Sequence, residues 1–242
     1  ALAARLSDAR LGDPAVRALC QIGTPAARAA LRQALAGAPP GVALPLVHAL
    51  GSLRDVEAIP AIVAHLGAAD PSIRQAALLA SADCGAAAAS EAILAAASSA
   101  DPTERRLGIR AAVLLAQRLH AAGRPAEAMA LQQALAGLPE GALPALSLRV
   151  DLLGVGALDD LIAAAAGADV PRREMALRLG QALPGQAVTA AWCAALPRME
   201  PPAARAALVA MLGRRQDRAA LPVLRQMLAD ADAGVRAAAM KA

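Results

Sequence analysis

This sequence predicts an all-α fold, an α-solenoid of about seven to eight stacked helical hairpins, and three observations predict it. The first is a ladder of proline-centred signals that recurs roughly every 30 residues, a period typical of stacked repeats. Its clearest rungs read Asp13-Pro14-Ala15-Val16-Arg17, Asp70-Pro71-Ser72-Ile73-Arg74 and Asp101-Pro102-Thr103-Glu104-Arg105. Weaker rungs stand at Pro39-Pro40, Pro139-Glu140, Asp169-Val170-Pro171, Pro201-Pro202 and Asp232. The second is helical periodicity between the rungs: Ala220, Leu221, Leu224 and Leu228 fall on one apolar stripe. The third is composition. Of the 242 residues 57% are hydrophobic, yet there is one Trp and no Phe or Tyr. A core of small aliphatic side chains suits close-packed helices and fits strands poorly, because strands favour aromatic and β-branched residues.

Taken in order, each repeat has a first helix, a break and a second helix. First helices are expected near 24–36, 55–67, 88–98, 124–136, 157–167, 185–196 and 217–228, after one over 1–11 that lacks its predecessor. Second helices are expected near 14–22, 41–50, 71–84, 102–121, 140–153, 171–183 and 202–213, with a last one from Asp232 to Ala242. The Asp of a rung suits the N-cap, where its carboxylate accepts free backbone N–H groups. Pro suits the first helical position, where its missing N–H is not needed. Arg one turn on (Arg17, Arg74, Arg105, Arg205, Arg236) is within reach of an Asp in its own or the next repeat. Asp and Arg of the ladder are therefore read as structural. Gly23, Gly37, Gly51, Gly67, Gly85, Gly137, Gly154, Gly167 and Gly213 stand where left-handed helix ends are expected. Between Asp101 and Glu140 the spacing stretches, and the surplus around Gln117–Arg124 predicts a longer helix or loop. A single array over 1–242 is expected. Neither end carries a polar cap, so the array reads as part of a longer protein.

The pattern Asp-Pro-x-Ile/Val-Arg-x-x-Ala, preceded by an apolar helix such as Ala219-Ala220-Leu221-Pro222-Val223-Leu224, resembles the HEAT-like repeats of the bacterial phycobilisome-lyase type. The resemblance is strongest at 13–35, 54–84 and 201–240 and looser at 101–185. It implies a repeat scaffold whose second helices line the concave face. It also brings in an alternative, an enzyme of the bilin-lyase type.

Charge and chemistry narrow the function. Twenty-four basic residues, all Arg but Lys241, face 20 acidic ones, for a net charge of +4 spread evenly along the chain. No basic tail marks a nucleic-acid binder. Cys20, Cys84 and Cys193 form no CxxC and are expected as free, mostly buried thiols, which slightly favours the cytoplasm without excluding export. Mean hydropathy is +0.45, but the longest uncharged run, Gln33–Leu53, is interrupted by Pro39-Pro40 and predicts two helices with a turn, not a membrane span.

His48, His65 and His120 have no Glu neighbour and no helical pairing, so no metal site is expected. Gly154-Val155-Gly156 lacks a third Gly, and no GxSxG is present; neither a cofactor nor a catalytic role is expected. Asp159-Asp160 at a helix start is read as capping. Trp192 is expected in the core, with an exposed anchor as the alternative. What remains as a candidate partner-binding set is extra Arg on the second helices: Arg106 and Arg110, four apart on one face, Arg173 with Arg178, and Arg149 extending the row. The expected partner is another protein or another domain of the same chain, with nucleic acid possible through the Arg strip but not favoured.

Overall fold

A computed structural model describes residues 2–6, 8 and 11–242, with Pro40 described by its backbone alone. The described residues are helix, turn and loop, with no strand. They fall into two compact units, Ala1–Gly141 and Ala142–Ala242.

In the first unit the helices run α1 (Gly12–Ile22), α2 (Pro25–Ala36), α3 (Pro40–Ser52), α4 (Ile59–Ala64), α5 (Pro71–Asp83), α6 (Ser90–Ala97), α7 (Pro102–Ala121) and α8 (Pro125–Ala136). The second helices pack in chain order, α1 on α3, α3 on α5 and α5 on α7, while α2, α4, α6 and α8 form the other layer. The surplus after Asp101 goes into α7, a helix of 20 residues. Of the first helix expected over 1–11, the described part holds a 3-10 turn at Ala3–Arg5; residues 1, 7, 9 and 10 lie outside the description. The first helices at 55–67 and 88–98 are shorter than expected, because 3-10 turns at Val56–Ala58, His65–Gly67 and Ala87–Ala89 replace their ends.

In the second unit the order is α9 (Ala142–Leu153), α10 (Leu158–Ala166), α11 (Val170–Ala182), α12 (Gln186–Ala195), α13 (Pro202–Arg215), α14 (Leu221–Met227) and α15 (Ala233–Lys241). Again the second helices pack serially, α9 on α11, α11 on α13 and α13 on α15. Each unit is thus a stack of helical hairpins around its own apolar core. Leu31, Leu46, Leu50 and Ile62 are fully buried in the first, and Leu161, Trp192 and Leu208 in the second.

The capping role of the rung Asp holds at four second helices. Asp70 accepts from the Ser72 N–H (2.8 Å), Asp101 from Thr103 (2.9 Å), Asp169 from Arg172 (3.1 Å) and Asp232 from Val235 (3.0 Å). Asp13 differs. The carbonyl of Asp8 takes the Gly12 N–H at 2.8 Å and its carboxylate takes the Leu11 N–H at 3.1 Å, which draws the start of α1 upstream to Gly12. Asp13 then sits inside the first turn, where its charge still suits the positive helix end.

Arg17 is exposed, but at the other four ladder positions named the Arg has main acceptors other than the expected Asp. Its guanidinium reaches back five and six residues to carbonyls of the interhelical loop. Arg74 donates to Ala68 and Ala69 (2.7 and 2.8 Å), Arg105 to Ser99 and Ala100 (2.8 and 3.2 Å), Arg205 to Met199 and Glu200 (3.2 and 2.9 Å), and Arg236 to Asp230 and Ala231 (2.8 and 2.9 Å). The capping Asp is already occupied by backbone N–H groups, and loop carbonyls without intrahelical partners take the Arg instead. Two of these Arg also touch a downstream carboxylate: Arg105 reaches Glu140 at 2.7 Å, and Arg205 reaches Asp230 of the next repeat at 3.4 Å, the Asp contact expected of the ladder.

Several glycines serve close approach where a left-handed end was expected. Gly51 lies inside α3, where an added Cβ would stand 2.7 Å from the Ala80 Cβ of α5. Gly213 lies inside α13, while Gly37, Gly137 and Gly167 have negative φ. Gly23, Gly85 and Gly154 do take the left-handed conformation.

Candidate binding surface

Arg106 and Arg110 are both exposed on α7. The reason is local. Gly108 and Ile109 turn inward, Gly108 so tightly against α6 that a Cβ there would meet the Ala97 nitrogen at 2.1 Å. Residues at i and i+4 on the opposite side then face outward together. Neither guanidinium makes an ion pair or side-chain hydrogen bond among the described residues. Their charge is still felt nearby: the Glu140 carboxyl is held below its ordinary value first by its hydrogen bond from Arg105 and further by the charges of Arg105 and Arg106.

The other three candidates belong to the second unit, and the structure employs them differently. Arg149 on α9 pairs with Asp160 on α10 at 2.5 Å. Asp160 is thus an ion-pair partner, and α10 has no side-chain cap, which corrects the capping role expected for Asp159-Asp160. Arg173 on α11 is buried, its Nε donating to the Ala165 carbonyl at 3.2 Å and its Nη2 to Gly167 at 2.7 Å. That placement corrects its grouping with Arg178: Arg173 occupies the ladder position of its repeat and is consumed by loop carbonyls. Arg178 is exposed and leans on the Met175 sulfur at 2.8 Å. Trp192 is fully buried, which removes the exposed-anchor alternative.

Sequence reasoning missed a polar knot centred on Arg215 at the end of α13. Its Nη1 donates to the carbonyls of Gly180, Gln181 and Leu183 (2.7, 3.0 and 2.7 Å) and its Nη2 to Gly185 (3.3 Å). Its Nε donates to the buried Thr189 hydroxyl (3.0 Å), which donates in turn to Asp217 (2.7 Å). Asp217 also accepts the Ala219 N–H at 3.0 Å, and that bond, with the Thr189 hydroxyl and the Arg215 charge, lowers its pKa. One side chain thereby closes the open C-terminal end of α11 and ties α11, α12 and α13 together. A similar tie in the first unit joins Arg32 to the buried Asp55 (2.6 Å) and to Glu57 (2.8 Å). In sequence these Arg look like ordinary charges at helix ends.

The three cysteines are free. Burial, then the charges of Asp55 and Asp83, push the Cys84 thiol from 9.0 to about 11. Below pH 9 the thiol is neutral in folded and unfolded chains alike. Between about 9 and 11 the unfolded chain loses that proton while the folded one keeps it, so stability falls as pH rises. Urea melts at rising alkaline pH are expected to show this decline, and Cys84→Ala is expected to flatten part of it. An identical decline in the variant would remove Cys84 as its source.

Among the described residues no group of three or more His, Cys, Asp or Glu converges as a metal site would require. No helix among them is long and apolar enough to cross a membrane.

Repeated helical hairpins with Asp caps and loop-binding Arg define the class as a helical repeat protein. Within it, residues 189–242 match a family model described as HEAT repeats. No curated protein matches the chain in sequence. Solved structures similar to it include human deoxyhypusine hydroxylase with glycerol, at 21% identity, covering 99% of this chain and 92% of that one, TM-score 0.40. The complex of CpcE and CpcF of phycocyanin lyase from Nostoc sp. PCC7120 shows 19% identity, 93% and 92% coverage and a TM-score of 0.44. An engineered protein shows 17% identity, 99% and 76% coverage and a TM-score of 0.42.

Proposed function

We propose that the chain is a non-enzymatic repeat scaffold, one array that offers its helix faces to another protein or to another domain of the same polypeptide. The observation that carries this reading is how the recurring polar residues are spent. At four second helices the rung Asp caps and the ladder Arg is taken up by loop carbonyls, while Arg106 and Arg110 stand exposed on α7 with no ion pair among the described residues. The repeating chemistry builds the stack, and the departures from it lie on the surface. Bilin-lyase-type activity finds no support in a side chain placed for it. Binding of a nucleic-acid backbone through the same Arg pair is the competing outcome.

Affinity co-purification with nuclease treatment tests the reading. A protein partner that survives nuclease is expected. An exposed ion pair contributes roughly 0.2–1 kcal/mol, so Arg106→Ala/Arg110→Ala is expected to weaken it by about two- to thirty-fold. Retention of nucleic acid alone, with affinity falling steeply as salt rises, would overturn the scaffold reading in favour of a polyanion binder.

A further inference from the structure

In the first unit α3, α5 and α7 pack serially. α3 meets α5 so closely that a Cβ on Gly51 would stand 2.7 Å from the Ala80 Cβ. The three helices start at N-caps Pro39, Asp70 and Asp101. Counting from these caps puts Leu44, Gln75 and Arg106 in one row, and His48, Leu79 and Arg110 in the next, one turn on. Positions four apart on a helix share a side, so the two rows make one face. His48, Arg106 and Arg110 are exposed on it, and Leu44, Gln75 and Leu79 are half-buried. The face runs from two cations on α7 to aliphatic side chains on α5 and α3.

No carboxylate stands in either row, and the acidic side chains on or capping these helices are engaged elsewhere. Asp70 and Asp101 accept backbone N–H groups. Asp83 pairs with Arg118 at 3.6 Å, and Glu104 accepts the Ser99 hydroxyl at 2.6 Å. Glu140 is taken by Arg105 at 2.7 Å. The two outward guanidinium groups are thus left without a countercharge from the helices that carry them.

We infer that this face binds a peptide segment of a partner protein, one with paired Asp or Glu residues at one end and aliphatic side chains beyond them. The inference rests on the scaffold reading and names the partner chemistry for one face. Arg106 and Arg110 stand about 6 Å apart along α7, and each offers a planar fork that takes a carboxylate through two N–H groups. From α7 to α3 is two interhelical spacings of about 8–10 Å each. An extended segment of about six residues, at roughly 3.3 Å per residue, crosses that width. Its acids meet Arg106 and Arg110 while its aliphatic side chains cover Leu79 and Leu44. A nucleic acid matches the cationic end alone, because a phosphate backbone brings nothing to the two leucines. The chain's one aromatic ring, Trp192, is fully buried, so no base can stack.

Fluorescence anisotropy with dye-tagged peptides tests this on the full chain. The probe is Glu-Glu-Gly-Leu-Gly-Leu, used in that order and reversed, since either chain direction can lay the acids on α7. One control replaces both Glu by Gln, the other both Leu by Ser. The probe is expected to bind several-fold more tightly than either control in at least one direction. Arg106→Ala/Arg110→Ala is expected to weaken the Glu probe by about two- to thirty-fold and to leave the Gln control unchanged. Both residues are exposed, so the variant keeps its fold, which circular dichroism checks. Arg106→Glu/Arg110→Glu is expected to prefer Lys-Lys-Gly-Leu-Gly-Leu to the Glu probe. Equal binding of the probe and either control, or probe binding indifferent to Arg106→Ala/Arg110→Ala, overturns the proposal. So does displacement of the probe by equimolar inorganic phosphate, which marks a small-anion site, or by equimolar duplex DNA, which marks a polyanion site. Should a co-purified protein bind the parent and Arg106→Ala/Arg110→Ala alike while the probe fails to bind, this face falls and the scaffold reading stands.

Discussion

Trp192→Ala is expected to destabilise the second unit by about 3–5 kcal/mol, the range for emptying a fully buried large side chain. The indole is completely buried. One edge lies on α11 at Gly180, where an added Cβ would stand 2.4 Å from the ring. The surrounding core is Leu, Val, Met and Ala, including Leu161, Val188 and Leu208. Small residues on packed helices cannot collapse into a space of that size, so the cavity persists and the upper part of the range applies. The indole Nε1–H has no partner, so its removal sacrifices no hydrogen bond and the loss is one of packing. Trp192→Phe separates the two effects: it removes the orphan donor, keeps most of the ring, and is expected to lie within about 1.5 kcal/mol of the parent. Denaturant melts followed by circular dichroism measure both, since the Ala variant retains no Trp to report fluorescence. A loss below about 1.5 kcal/mol for Trp192→Ala would mean that α11 and α12 close over the gap.

The same residue shows what was legible in the sequence. Its position in a first helix among Ala residues pointed to the core; the glycine facing it could not be read, because Gly180 and Trp192 sit on different helices and no local pattern pairs them. Local rules read well. Asp70, Asp101, Asp169 and Asp232 cap as expected, because an N-cap involves residues two or three apart. The ladder Arg was placed correctly as structural, and Arg205 does reach an Asp of the next repeat, but the main acceptors are loop carbonyls. Proximity to an Asp is visible in a sequence, whereas an unpaired loop carbonyl is visible only once the hairpin closes. Arg173 shows the consequence for the candidate site. As a cation on a second helix it resembled Arg178, yet its register matches Arg74 and Arg205, and register decides whether a guanidinium is buried. Arg215 carried no signal at all, since its five acceptors are spread over Gly180–Thr189. The close helix approaches at Gly51 and Gly108 escaped for a related reason: they are made by absent side chains, and one more small residue in an alanine-rich helix marks nothing.

Gly108→Ala tests whether such absences are structural, and two opposing effects decide its sign. Within a helix Ala is favoured over Gly by roughly 1 kcal/mol, which would stabilise α7. Against it stands the crossing of α6. A Cβ at Gly108 would lie 2.1 Å from the Ala97 nitrogen, 2.5 Å from the Ala96 carbonyl carbon and 2.7 Å from the Ala97 Cα. All three are backbone atoms, so no rotamer change relieves the clash and the two helices must separate. Overpacking of this kind costs about 1–3 kcal/mol or more, and separation also loosens Ala96 and Ala97, both buried here. The clash therefore wins, and a net destabilisation of about 1–2 kcal/mol or more is expected. Gly41→Ala is the control: Gly41 lies in α3 with open space where its Cβ would go, so a gain of about 0.5 kcal/mol is expected there. Opposite signs for two identical substitutions in helices leave propensity as the smaller effect. A stabilised Gly108→Ala protein would show that α6 and α7 are not held at this distance. Hydrogen exchange locates the damage, with protection expected to drop in α6 and the first half of α7. Arg106 and Arg110 flank Gly108 on the outer side of that same turn, so a shifted α7 would also move the pair, and partner binding should weaken together with the lost protection.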